Sequence, residues 1–380
     1  MKSFSIMNYV VLFAVLICVG FLYKRFQEKI YKDDNDDNYK MIREYLLNDL
    51  DLIESRGSNK VKKPILWIHL PHEYNSRKWL SFGSRSSHDI NQPYLYLTVR
   101  TILTQCSDSF TICMIDDSAF KNLIPGWKID MTKISSPILE NMRQLGLMRI
   151  LYNYGGMICP MSFLCMKDLI GLYKRGTIGN KMFLCETADK NITSESYSFY
   201  PNIYFCGANK NNYMVEQIID FMLRVYSSDY TAESVFLGDI NRFCENKIKN
   251  GQMNLIDGVN IGIKNIDEEP ISIEDLMSVN YLKLYPGTYG ILIPSDEILS
   301  RTKYQWFSRL SHKQVLESNT IIGNYILLSI APDAKKGILE PLINKPKWVG
   351  FWKTPLVDGL YGLKPNFLGD EVPKLKFTGR

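Results

Sequence analysis

The sequence predicts a mixed α/β body preceded by one membrane-spanning helix, and three observations predict it. An apolar stretch from Ile6 to Tyr23 carries Asn8 as its one strongly polar residue and is followed at once by Lys24 and Arg25. Between Pro64 and Ile115 the pattern alternates as strand, helix, strand, the opening of an open α/β sheet. A long periodic helix then ends at Gly155-Gly156 and runs straight into a second apolar stretch, Met157 to Met166.

Composition narrows the field before any motif is read. With 380 residues, 46% of them hydrophobic, the chain can bury a substantial core. Its net charge of +5 comes from 45 basic and 40 acidic residues scattered without a long basic run, so no nucleic-acid groove is implied and no nucleic-acid partner is expected. The 8 cysteines show no CxxC spacing and no paired histidines, so no zinc site is expected. Most sit inside hydrophobic runs, as buried free thiols do, although a luminal body would favour disulfides.

The span from 6 to 23 is longer than the apolar region of an ordinary signal peptide and lacks a small-x-small cleavage site. It has no polar face, unlike a buried core helix. It therefore reads as a bilayer anchor over residues 1–25, making a single-pass membrane protein. Lys24, Arg25, Lys29 and Lys32 follow it, and the positive-inside rule puts the body in the cytoplasm. Asn191-Ile192-Thr193, a glycosylation acceptor if luminal, argues the other way. Residues 26–63 read as a stalk: acidic between Lys32 and Lys40, polar again from Arg56 to Lys63, with a short amphipathic helix from Met41 to Ile53 between.

The body is expected over residues 64–347. Pro64 to Leu70 is a continuous apolar run, the mark of a fully buried strand. Gln92 to Thr104 presents Leu95, Val99 and Leu103 on one helical face, and Phe110 to Ile115 is a second strand. Ser136-Pro137 and Glu140 open the best-defined helix, in which Ile138, Met142, Leu145, Met148 and Tyr152 recur at three- and four-residue spacing. Tyr200 to Ala208 reads as a strand, Asn212 to Ser227 as a helix, and Leu292 to Leu299 and Val315 to Ile330 as further mixed elements. Residues 348–380, with Pro355, Pro365 and Pro373, read as coil packed on the body.

Ligands of open α/β sheets bind just past the carboxyl ends of the strands. Asp116 and Asp117 end the second strand, where two carboxylates can hold a nucleotide or a metal; equally, they can form a strand-end turn and cap a short helix over Ser118 to Leu123. Arg149 can pair with a phosphate or close the end of its own helix. His69, after the first strand, is more simply a structural residue than a catalyst. The loop Asn75 to Ser87, with Arg77, Lys78 and Arg85 around Gly83, suits a phosphate or a solvated surface equally well.

The stretch LGLMRILYNYGGMICPMSFL, with Asn91 to Asp117 before it, resembles the capsular-polysaccharide and sugar-binding-region glycosyltransferases of the GT-A fold, and also proteins of large DNA viruses. Arg149, Leu151, Tyr154, Gly155 and Gly156 carry the match, which covers the first half of the body. The resemblance implies a GT-A-like mixed sheet flanked by helices and a nucleotide-sugar donor with a glycan or protein acceptor. It also implies donor contacts at His69, Arg149, Tyr154, Gly155, Gly156, Pro160 and Ser162. The family's helix Asp is Gly146 here, and Pro160 and Ser162 stand where its Asp-x-Asp would hold Mn or Mg, so hard-cation ligands are missing. Two outcomes are therefore expected in parallel: a sugar transferase whose charge work rests on Asp116, Asp117 and Arg149, or a catalytically silent binding or structural membrane protein. A third, a peripheral lipid- or protein-binding module, would show an exposed apolar patch.

Overall fold

The structure, a computed structural model, describes residues 63–71, 89–90, 92–134, 138–189, 198–227, 238–335 and 350–351. The expected span at 6–23, the stalk, the loop at 75–87, Asn191, the Ser136-Pro137 helix start and nearly all of the C-terminal coil lie outside the described residues. Among the described residues, no helix is long and apolar enough to cross a membrane.

The architecture is a mixed α/β one, a central mixed sheet flanked by helices. Its strands are β1 (Ile65–Leu70), β2 (Thr111–Asp116), β3 (Gly156–Ile158), β5 (Phe183–Asp189), β6 (Ser198–Ala208) and β7 (Asn254–Ile256), in the order β2-β1-β3-β6-β5-β7. β1 pairs in parallel with β2 and β3, β6 runs antiparallel to β3 and β5, and β7 lies parallel to β5. One strand, β6, is thus reversed. A second sheet pairs β4 (Phe163–Cys165) antiparallel to β8 (Gly290–Leu292). Residues Ala119–Ile129 form part of a separate unit, with a helical turn at Phe120–Leu123 and the Phe120 and Trp127 rings 5.5 Å apart.

β1 is central because its sequence suits burial on both faces. Leu66, Ile68 and Leu70 join a cluster with Tyr94, Leu95, Val99 and Ile102 of α1 (Tyr94–Cys106), while Trp67 points the other way, edge-on to Tyr154 of α2 (Ile138–Tyr154) at 5.5 Å. The chain moves from β1 outward to β2, then back past β1 to β3. Right-handed crossovers made in opposite directions put their helices on opposite faces, which is where α1 and α2 lie. α2 is further covered by α4 (Tyr213–Ser227), which is joined in turn by α5 (Gly238–Lys249). On the α1 side stand α7 (His312–Glu317) and α8 (Ile321–Lys335). Between β4 and β5 lies α3 (Ile170–Gly176), and α6 (Ser295–Ser300) follows β8.

Three expectations are corrected. Met157 to Met166 is not one strand: Cys159 still donates its N–H to Trp67 O at 2.9 Å, but Pro160 has no N–H to continue the ladder, and the chain turns to form β4 in the other sheet. The face assigned to α2 is only part of its buried surface: Leu145 and Met148 are buried as expected and Ile138 is 42% exposed, but Leu139, Arg143, Leu147, Ile150 and Tyr154 are buried too, so the helix is covered on more than one side. The expected coil contains Gly350–Phe351, which pairs in parallel with Asp89–Ile90.

The twin-glycine turn is as expected. Gly155 and Gly156 have φ of +72° and +101°, and a Cβ on Gly156 would lie 2.1 Å from Ile65 O.

Candidate active site at the carboxyl edge of the sheet

β1, β2 and β3 end at the same edge, with His69 registered opposite Ile115 and Leu70 opposite Asp116. The crossover reversal at β1 makes this edge the switch point of the sheet, the place where open α/β folds take ligands. Asp117, one residue beyond β2, accepts from His69 Nε2 at 2.9 Å and from Arg143 Nε at 3.0 Å and Nη2 at 2.8 Å. Arg143 also reaches Glu140 through Nη1, and Glu140 accepts from the Tyr204 hydroxyl at 3.2 Å. One chain of polar groups therefore joins β1, β2, α2 and β6.

The network grades from buried to open. Arg143 is 1% exposed, Asp117 11% and Glu140 44%, so the inner pair is sealed and the outer carboxylate faces water. Burial alone would raise the Asp117 carboxyl, but hydrogen bonds and charge from His69 and Arg143 overcome it and hold it below the ordinary carboxylate range. Burial pushes the Tyr204 hydroxyl upward, with the Glu140 charge adding to it. Asp296, in the first turn of α6, is exposed; the protein around it and the Glu140 charge still raise its carboxyl above the ordinary range. Among the described residues, no hydrogen bond or ion pair reaches it. α6 is carried to this edge because β8 pairs with β4 and Ile293 N donates to Ser162 O at 3.1 Å.

The residues singled out from sequence divide clearly. His69, Asp116 and Asp117 come together at the carboxyl edge, with Pro160 just beyond β3. Asp116 accepts from the Ser118 hydroxyl at 2.6 Å, the strand-end turn that its sequence position allows. The arginine that meets Asp117 is Arg143, not Arg149, which lies farther along α2. Tyr154, Gly155 and Gly156 are enclosed at the opposite, amino end of β3: Tyr154 packs on Trp67, and Trp67 Nε1 donates to Gly155 O at 2.9 Å. Ser162 is buried, its carbonyl taken by Ile293. Glu140, Arg143, Tyr204 and Asp296 were missed. Arg143 left a signal, a cation at i+4 from Leu139 and i−4 from Leu147 on a stripe of apolar residues.

The divalent cation implied by the glycosyltransferase resemblance does not fit these residues. Both Asp117 oxygens are engaged by Arg143 and His69, and among the described residues no three His, Cys, Asp or Glu side chains converge. No protein-family model matches the chain, and no curated protein matches it significantly.

Proposed function

We propose that this chain is a GT-A-like, glycosyltransferase-related protein that binds a nucleotide sugar at the carboxyl edge of its sheet. The observation that carries the reading is the polar network at the switch point, His69 to Asp117 to Arg143 to Glu140, on a mixed sheet flanked by helices as the resemblance implies. The sealed Asp117–Arg143 pair positions α2 against β2. The solvent-facing carboxylates of Glu140 and Asp296 are placed to meet the hydroxyls of a sugar or ribose. Of these, Asp296 is the group suited to accept a proton from an acceptor hydroxyl, because its raised carboxyl makes it the stronger base. In this reading residues 6–23 hold the body at a bilayer, on its cytoplasmic face.

Titration calorimetry with uridine and guanosine diphosphate sugars, with and without manganese, tests the binding. Heat from the native chain that falls at least about tenfold in affinity in Glu140→Gln and Asp296→Asn supports the reading; no heat from any donor removes it. A catalytically silent binding protein is the second reading, favoured by Pro160 and Ser162 at the positions of the missing cation ligands. Heat without release of nucleoside diphosphate in the presence of glycan acceptors selects it.

A further inference from the structure

Two thiols face each other where α1 meets β4. Cys106 ends α1 and Cys165 ends β4; both are fully buried, and their Sγ atoms lie 3.9 Å apart. The main chain sets this approach. Cys165 N donates to Thr101 Oγ1 at 2.8 Å, and the Thr98 hydroxyl donates to Met161 O just before β4, so the helix and the strand are tied on the turns that precede both cysteines. A disulfide holds its sulfurs at about 2.05 Å, so a further approach of about 2 Å closes the gap, the scale of small side-chain rotations. The hydrogen bond given up is Cys165 Sγ to Lys167 O, at 3.1 Å.

We propose that Cys106 and Cys165 are an oxidation site, forming a disulfide that staples α1 to β4 when the chain folds in the presence of a small-molecule disulfide such as oxidised glutathione. One cysteine, as its thiolate, attacks the glutathione disulfide and releases one glutathione, leaving a mixed disulfide. The second loses its proton, attacks the mixed disulfide and releases the other glutathione. Two S–H bonds are lost, one S–S bond forms, and the oxidant's S–S bond is reduced to two thiols. Burial pushes the Cys165 thiol well above its ordinary range, and both sulfurs are shut away from solvent, so the folded, reduced chain resists attack at this site. The exchange therefore belongs to the stage before α1 docks. Once made, the link closes a long loop of chain and anchors the segment that follows Pro160 and Ser162.

The test is oxidative refolding of the full chain in detergent with a glutathione couple, then alkylation, digestion without reductant and peptide mass mapping. The expected result is a linked peptide pair containing Cys106 and Cys165, with a melting temperature on the order of 5–10 °C above that of the reduced chain. Cys165→Ser should lose both effects. Cys159→Ser, which alters a third buried thiol close by, should keep both. Alkylation of Cys106 and Cys165 in the oxidised native chain, or a link made through Cys159, overturns the proposal. The map of the native chain decides this even if a variant fails to fold.

Discussion

The two ends of the central sheet are built from opposite materials. At the amino end of β3, Gly155 and Gly156 turn the chain with positive φ, and backbone from Ile65 and Lys210 fills the space where side chains would stand. At the carboxyl end, polar and charged groups from β1, β2 and α2 are paired behind a carboxylate open to water. A single helix, α2, serves both, with Glu140 and Arg143 near its start and Tyr154 at its finish. At the amino end backbone packs directly on the two glycines, while the carboxyl end keeps polar groups that solvent can reach. The lesson is that the twin-glycine motif shapes the sheet rather than a pocket, and the chemistry lies one strand length away.

The largest expected effect breaks the closed end. Gly156→Ala puts a Cβ 2.1 Å from Ile65 O at a φ of +101°, and denaturant unfolding should show a loss of at least about 3 kcal/mol. Next comes the sealed pair at the open end. Asp117→Asn leaves Arg143 buried beside a neutral partner and should cost about 3 kcal/mol in chemical unfolding, whereas Asp117→Leu with Arg143→Met should recover most of that loss.

The same carboxylate sets an acid limit. Its folded pKa is lowered, so its stabilisation is present above the unfolded value of 3.8 and fades as pH falls through the folded value. Melting curves of the native chain should fall in that window, and those of the double variant should fall less.

A third effect lies away from both ends and calibrates them. Burial depresses His312 from 6.5 to about 4, with its ring edge-on to Tyr96 at 5.5 Å. The unfolded chain takes up this proton at a higher pH than the folded one, so stability should drop by on the order of 2 kcal/mol as pH falls from 6.5 towards 4. His312→Leu should remove that part of the slope in pH-dependent melting. The smallest effect is Tyr204→Phe, which deletes one hydrogen bond to the half-exposed Glu140 and should cost about 1 kcal/mol or less by thermal melting.

Much of the fold was legible because periodicity reports burial. β1, α1, β2, the run of α2 to its glycines, β6 and α4 all carry local patterns that the structure keeps. What failed was anything decided by distant partners. The apolar run after Gly156 gives no hint that Pro160 sends its second half to a different sheet, because β8, its partner there, lies far along the chain. The site was half legible: His69 and Asp117 sit at strand ends that the pattern marks. Arg143 was hidden because an arginine on a buried stripe needs a counter-charge without naming it, and the Asp117 that supplies it lies 26 residues back in the chain. Asp296 could not be foreseen, since only the β4–β8 pairing carries its helix to this edge.

The most direct measurement is photo-crosslinking of the full chain with an azido-nucleotide diphosphate sugar, followed by peptide mapping and competition with unlabelled donor. The account predicts competable label on peptides containing Asp116 to Ser118, Glu140 to Gln144 or Pro294 to Ser300, at the carboxyl edge. Competable label confined to the Tyr154 to Gly156 turn or to Asn209 to Asn212, at the closed end, would contradict it, as would no competable label at all.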